Sequence, residues 1–172
     1  TGTGNVLLNE WAFKHTGKDS DVDGKLALSG KADNGVVGAM LKDWFFAKHP
    51  PKSLDRNYLT FEPVQNLSPA DGAATLTEFT TAAIEAGAAF FPRPAKQWFI
   101  SGGGRLNPAI MQSLRRRFKH VYPVESLGWT GDSLEAQAFA FLAVRSLKNL
   151  PLSLPTTTGA IRAVTGGALY RA

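Results

Sequence analysis

Apolar residues recur every three or four positions in several segments of the chain, the spacing that places side chains on one face of a helix. Capping residues, glycines and prolines mark where these segments begin and end. The pattern predicts five helices, over residues 5–15, 34–46, 68–89, 107–114 and 132–150. Asn5 and Ser68 stand where a side chain can cap a helix, and Gly17 suits a left-handed helix end.

Two short apolar runs are instead typical of strands. Residues 96–101 lead into three consecutive glycines, and residues 120–124 follow the helix predicted at 107–114. The order strand, glycine turn, helix, strand is typical of α/β proteins. We therefore expect one α/β domain over residues 1–172, and further weak strands near residues 59–61 or in the tail would enlarge its sheet.

Composition narrows the classes of protein. A hydrophobic content of 44% with 11 Phe and 4 Trp is enough for an ordinary core. The absence of cysteine excludes disulfide scaffolds, thiolate catalysis and cysteine-ligated metal sites. No apolar run reaches the roughly 18 residues of a membrane span, and we expect no association with membranes.

The charge balance allows two kinds of partner. Nineteen Lys and Arg against fourteen Asp and Glu give a net charge of +5, which suits nucleic acid or any ligand that carries phosphate. The densest basic run, residues 115–120, falls at the expected C-terminal end of a helix, where cations offset the helix dipole. Charge alone does not choose between the two partners.

An acidic turn resembles the beginning of a calcium loop. Residues 19–24 place aspartates at loop positions one, three and five and glycine at position six, but position twelve is Gly30 instead of glutamate. We interpret this segment as a surface turn and predict no metal site formed by protein side chains.

Two glycine turns precede helices. Gly102-Gly103-Gly104 lets the backbone approach a ligand closely and exposes amide groups to an anion, although a plain tight turn fits the same residues. Its spacing is neither a dinucleotide fingerprint nor a P-loop. Thr1-Gly2-Thr3-Gly4-Asn5 is the second turn. Two such turns in one chain favour nucleotide binding, because they can hold a polyphosphate from two sides.

Asp132 and Glu135 lie three residues apart at the expected start of the helix predicted over residues 132–150. One interpretation is a capping box, in which Asp132 and Glu135 satisfy backbone amides. The other is that Glu135 points into a cleft and binds sugar hydroxyls or a reacting water.

Three segments in this order resemble the C-terminal half of the anhydro-N-acetylmuramic acid kinases: Thr1-Gly2-x-Gly4-Asn5, Gly102-Gly103-Gly104-x-x-Asn107-Pro108 and Gly131-Asp132-x-x-Glu135-Ala136. The resemblance covers nearly the whole chain. Pro51-Lys52-Ser53 with Arg56 and the segment at 155–159 also match that family. The glycine motifs alone would fit any member of the wider actin, Hsp70 and hexokinase-like group.

The resemblance implies a cytoplasmic enzyme with two ribonuclease H-like lobes and ATP with Mg²⁺ between them. Such an enzyme cleaves the 1,6-anhydro bridge of anhydro-N-acetylmuramate with water and phosphorylates O6, giving N-acetylmuramate 6-phosphate in cell-wall recycling. This chain would be the C-terminal α/β lobe, a mixed β-sheet with helices packed on it. Its partners would be the N-terminal lobe, the sugar and ATP, and a homodimer is possible.

The resemblance also implies roles for particular residues. The second phosphate loop would contain Gly2, Gly4 and Asn5. The adenosine motif would contain Gly102, Gly103, Gly104 and Asn107. Glu135 would face the sugar as a catalytic residue, with Asp132 as a weaker candidate.

The chain departs from the family pattern at two positions. Thr3 stands where the family usually has proline, and Asp55 stands where it usually has glycine. The aspartate expected to act as general base would come just before Thr1, and the phosphate loop of the other lobe lies further upstream. We therefore expect these 172 residues alone to bind nucleotide poorly and to show no turnover.

Two alternatives stay open at this point. One is a related kinase that acts on another sugar or acid. The other is a basic module that binds nucleic acid, whose affinity would collapse with salt and would not respond to ATP.

Overall fold

The computed structural model describes residues 2–55 and 57–170. Thr1 of the first glycine turn and Arg56 of the family-like segment therefore lie outside the described residues. The elements follow in the order α1 (Val6–Thr16), α2 (Lys25–Leu28), α3 (Asn34–Met40), α4 (Trp44–Ala47), α5 (Pro69–Ala88), β1 (Trp98–Ile100), α6 (Pro108–Arg117), β2 (Val121–Pro123), α7 (Leu134–Leu147) and α8 (Pro155–Thr158).

Helix α5 is the centre of the core. Ser68 caps it by accepting a hydrogen bond from the amide of Asp71, and Pro69 occupies its first turn, as the sequence predicts. Many of its buried residues are glycine, alanine or threonine, so neighbouring helices can approach closely. Helices α1, α2, α3, α4 and α6 all pack against it. The indole of Trp11 on α1 donates a hydrogen bond to the Pro69 carbonyl at 2.8 Å.

Strands β1 and β2 form a parallel pair in which Trp98, Phe99 and Ile100 face Val121, Tyr122 and Pro123. The predicted order of strand, glycine turn, helix and strand is confirmed, and the fold is α/β in general. The described strands do not form the expected mixed sheet. Residues 59–61 lead into a 3₁₀ turn at Glu62–Val64, and the tail contributes a single antiparallel bridge between Ser153 and Val164.

The prediction of one helix over residues 34–46 was wrong. The segment forms α3 and α4, separated by a break at residues 41–43. The Asp43 backbone is extended, and its carboxylate accepts a hydrogen bond from the amide of Phe45 at 2.9 Å. A side chain that caps a new helix ends the preceding one, which hydrophobic spacing alone does not reveal.

The acidic turn has a structural role. Asp21 is buried, and its carboxylate accepts hydrogen bonds from the amides of Leu26 at 2.8 Å and Ala27 at 3.0 Å. These contacts satisfy amides at the start of α2, where a helix has no internal acceptors.

Helix α7 differs from the other long helices because none of its residues is buried. Phe139 is 71% exposed and Phe141 is 61% exposed. These two side chains point to nearly opposite sides, because successive helical residues are rotated by about 100°. A helix with large apolar side chains on opposite faces is typical of the interior of a larger protein. Among the described helices, none has the length and apolar character required to cross a membrane.

Candidate functional site

The two glycine turns lie next to each other. A Cβ atom added to Gly103 would lie 3.8 Å from the side-chain nitrogen of Asn5. Gly4 has φ +60° and Gly102 has φ +72°, a backbone region that favours glycine. The structure therefore brings together two turns that are separated by almost 100 residues in the sequence.

The first turn is fixed to the core. The hydroxyl of Thr80 on α5 donates a hydrogen bond to the Gly4 carbonyl at 2.9 Å. A Cβ atom on Gly2 would lie 3.4 Å from the Cβ of Ala83 and 3.7 Å from a ring carbon of Phe46. The turn thus rests on α4 and α5 and has a defined position relative to the second turn.

The N-terminus of α1 is open. Asn5 occupies the cap position, but its side chain makes no capping hydrogen bond, contrary to the prediction, and the first turn of α1 contains no acidic residue. The first amides of a helix lack internal acceptors, and the helix dipole makes this end positive. This end of α1 can therefore accept an anion.

The N-terminus of α6, by contrast, is closed by Asn107. The side-chain oxygen of Asn107 accepts hydrogen bonds from the amides of Ala109 at 2.9 Å and Ile110 at 3.3 Å. Its side-chain nitrogen donates to the Asp21 carbonyl at 3.1 Å. Asn107 therefore holds the second turn and α6 in place.

Space is available beside both turns. Among the residues that the structure describes, no atom would lie within 4 Å of a Cβ atom added to Gly4 or Gly102. Gly103 and Gly104 begin the 3₁₀ turn Gly103–Leu106, so their amides occupy positions without acceptors inside that turn. The open space is thus bordered by backbone donors from two directions.

A buried arginine, which the sequence analysis did not identify, supports the second turn. The Arg105 side chain is only 3% exposed. Its Nη1 donates to the Gly102 carbonyl at 2.9 Å, its Nε to Glu125 at 2.7 Å and its Nη2 to Asp132 at 2.7 Å. The hydrogen bonds that Arg105 donates to the Asp132 and Glu125 carboxylates raise the pKa of Arg105, and the same bond to Glu125 lowers the pKa of Glu125.

Asp132 does not form the capping box that the spacing allowed. Helix α7 begins at Leu134, its cap position is Ser133, and no side chain caps it. The Asp132 carboxylate accepts from Arg105 instead, because the turn before α7 lies over that guanidinium. A Cβ atom on the buried Gly131 would lie 2.3 Å from Arg105 Nε, so only glycine fits this approach without a shift.

Glu135 lies on the first turn of α7 and is exposed. It lies three residues after Asp132, which binds Arg105 and through it links this end of α7 to Gly102 in the second glycine turn. Its sugar-facing role stays a prediction.

The basic run at the end of α6 pairs with acidic residues of α5. Arg116 and Arg117 both contact the Glu78 carboxylate, and Arg117 also pairs with Glu85. Burial by itself raises the pKa of Glu78, but the hydrogen bonds from Ser113 and Arg116 and the charge of Arg117 outweigh it and lower the pKa to about 2. Two of the three arginines therefore stabilise the packing of α6 on α5.

The arrangement can bind an anion through backbone amides and the positive end of α1. The part of the chain that the structure describes contains no group of three or more histidine or acidic residues that could hold a metal ion. The charged groups nearest the second turn, Arg105 with Glu125 and Asp132, already satisfy one another.

Comparisons with known proteins give a consistent result. The profile of the anhydro-N-acetylmuramic acid kinase family matches residues 1–172. Proteins named anhydro-N-acetylmuramic acid kinase are similar to this chain in Paramagnetospirillum magneticum (53% identity over 97% of this chain and 48% of the relative) and in Rhodospirillum rubrum (50% identity over 100% and 46%). A protein of that name from Rhodopseudomonas palustris is 48% identical over 99% of this chain and 47% of the relative. The chain spans about half the length of the curated relatives that it matches.

Proposed function

Because this chain belongs to the anhydro-N-acetylmuramic acid kinase family, we propose that its two adjacent glycine turns hold the phosphates and the adenosine of ATP. Gly2, Gly4 and Asn5 form the phosphate side of the site. Gly102, Gly103 and Gly104 form the adenosine side, and Asn107 holds that turn in position.

The observation that carries the proposal is the close approach of the two turns, where a Cβ atom added to Gly103 would lie 3.8 Å from the side-chain nitrogen of Asn5. A nucleoside triphosphate needs hydrogen-bond donors on more than one side, and a single glycine turn supplies donors on one side only. The open N-terminus of α1 adds a positive end that no acidic residue of its first turn neutralises. Both features favour a polyphosphate over an uncharged ligand.

We propose that the whole protein transfers the terminal phosphoryl group of ATP to O6 of anhydro-N-acetylmuramate, while water opens the 1,6-anhydro bridge, in cytoplasmic cell-wall recycling. Phosphoryl transfer depends on positioning and on neutralising charge around the phosphates, which amide-rich turns provide. Mg²⁺ would be held mainly through the phosphate oxygens and would supply further charge neutralisation. The general base would come from the polypeptide outside this chain.

We propose further that the chain is the C-terminal, ribonuclease H-like lobe, and that the remaining polypeptide covers α7. The exposed apolar side chains on opposite faces of α7 support this, since their contact with water is unfavourable. The relatives are about twice as long as the chain, which leaves enough polypeptide to enclose this helix. Glu135, exposed at the start of α7, would then face the sugar between the lobes.

Substitution of Gly103 by alanine tests the nucleotide site. Within the described part of the chain, the new methyl group would meet Asn5 alone, at an ordinary contact distance, so the fold should tolerate it. The methyl group would fill space that the nucleotide needs, and we expect the affinity for a non-hydrolysable ATP analogue to fall about tenfold or more, which is at least ~1.4 kcal/mol. Calorimetric titration of the full-length protein measures this affinity.

Gly38→Ala on α3 is the matched control, because a Cβ atom there would meet no described protein atom within 4 Å and Gly38 belongs to neither glycine turn. It should leave the affinity unchanged. Equal affinity of wild type and Gly103→Ala for the analogue would contradict the proposed site.

Mass spectrometry of the products tests the reaction. Full-length protein with ATP and anhydro-N-acetylmuramate should yield N-acetylmuramate 6-phosphate. A panel of other sugars and sugar acids under the same conditions separates this activity from that of a related kinase. Faster turnover of another sugar would reassign the substrate and leave the nucleotide site intact.

A further inference from the structure

Arg105 is built into the protein and is not presented to a ligand. Three of its nitrogens donate to protein oxygens, at 2.7, 2.7 and 2.9 Å, and its side chain is 3% exposed. With Glu125 and Asp132 it forms a group that carries one net negative charge. Such a group does not attract phosphate, so its contribution to nucleotide binding must be geometric.

The geometry of the group links two parts of the site. On one side, Arg105 donates a hydrogen bond to the Gly102 carbonyl and fixes its position. Gly102 has φ +72°, and this backbone conformation sets the shape of the second glycine turn. On the other side, it binds Asp132, two residues before α7 begins. Gly131 lies against the guanidinium, so close that an added Cβ atom would lie 2.3 Å from Arg105 Nε.

We propose that Asp132 acts through Arg105 as a positioning residue for the nucleotide turn, and not on the sugar. The inference rests on the proposed function, since it assumes that the second turn binds the adenosine of ATP. Asp132 and Glu125 orient the guanidinium, the guanidinium orients the Gly102 carbonyl, and the turn then presents the amides of Gly103 and Gly104. Asp132 and Glu135, although three residues apart, thus act on different substrates: Asp132 positions the turn that binds ATP, and Glu135 faces the sugar.

Removal of the Asp132 carboxylate separates this role from a simple charge effect. Coulomb's law alone predicts that losing a negative charge leaves ATP affinity equal or higher, because ATP is an anion. If Asp132 instead positions the turn, its removal should lower the affinity for ATP. We expect Asp132→Ala in the full-length protein to weaken binding of a non-hydrolysable ATP analogue about fivefold to twentyfold. In turnover, the KM for ATP should rise while the KM for the sugar stays unchanged.

Two further variants test the pathway of contacts. Arg105→Met should weaken the analogue at least as much as Asp132→Ala, and the double variant should be no weaker than Arg105→Met, because residues that act in one contact network are not additive. Gly131→Ala changes no charge but would place its methyl group 2.3 Å from Arg105 Nε, so it should reproduce the effect by displacing the guanidinium. If Arg105→Met does not fold, Asp132→Ala still tests the inference, because the Asp132 side chain is 78% exposed and its truncation should leave the fold intact.

Asp19→Ala is the control for the removed charge. Asp19 is exposed and lies beyond the far end of α1, which is about 16 Å long, so this variant should bind the analogue as wild type does. Unchanged or tighter binding by Asp132→Ala would overturn the inference, as would a rise in the KM for the sugar alone. Failure of the wild-type protein to bind the analogue would instead overturn the proposed function.

Discussion

The ion-pair network between α5 and α6 makes the stability of this protein depend on acid in a defined way. Glu78 is 17% exposed and accepts hydrogen bonds from Ser113 and Arg116. Its pKa is about 2 in the folded chain, against an ordinary value of 4.5. Since the unfolded chain takes up the proton more readily, the carboxylate stabilises the fold fully above about pH 4.5, and this contribution is lost as pH falls toward 2.

The size of the effect follows from the shift. Each unit of pKa corresponds to about 1.4 kcal/mol, so the full shift is worth about 3 kcal/mol. Arg116 is 61% exposed, and solvent screens its part of the interaction. We therefore expect Glu78→Gln to lower the free energy of unfolding by about 2 kcal/mol at pH 7, and the difference to shrink to a fraction of that value at pH 3.

Urea unfolding of wild type and Glu78→Gln at several pH values measures this difference. Glu10→Gln, which alters an exposed glutamate on α1, is the matched control and should change the unfolding free energy by less than about 0.5 kcal/mol. The reasoning would be refuted by a Glu78→Gln difference that is the same at pH 7 and pH 3. A carbon-13 titration that placed the Glu78 carboxyl near its ordinary pKa would refute it as well.

Two further predictions concern stability. The Thr77 hydroxyl is buried and has no hydrogen-bond partner in the described ranges 2–55 and 57–170, so Thr77→Val should stabilise the protein by about 1 kcal/mol. Thr75→Val on the same helix should destabilise the protein by about 1–3 kcal/mol, because the Thr75 hydroxyl accepts from the Asp33 amide and donates to the Asp71 carbonyl. Thermal unfolding compares the two variants, and a loss of stability in Thr77→Val would contradict the first prediction. If the rest of the polypeptide covers α7, Phe139→Ser should cost the full-length protein about 3–5 kcal/mol in denaturant unfolding, as for a core phenylalanine. Phe13→Ser, an exposed phenylalanine on α1, should cost far less, and equal small losses would show that α7 stays exposed.

The sequence by itself determined the elements whose causes are local. The cap at Ser68 followed by proline predicted the beginning of α5, and the glycine turn between an apolar run and Asn107-Pro108 predicted the β1, α6, β2 unit. A capping residue accepts hydrogen bonds from amides two or three positions away, so its effect can be predicted from the residues next to it in the sequence. The order of the glycine and acidic motifs also indicated the kinase family, which the comparisons then showed.

Only the tertiary structure decided what the polar side chains around the second glycine turn bind. Asp132 had the spacing of a cap, yet it binds Arg105 from a distant segment, and Arg105 itself carried no distinguishing pattern. The contact between the two glycine turns likewise depends on how α1 and α6 pack around α5. Hydrogen bonds and ion pairs across the fold depend on distances of a few ångströms, and these are set by packing between elements remote in sequence and not by the spacing of residues along the chain.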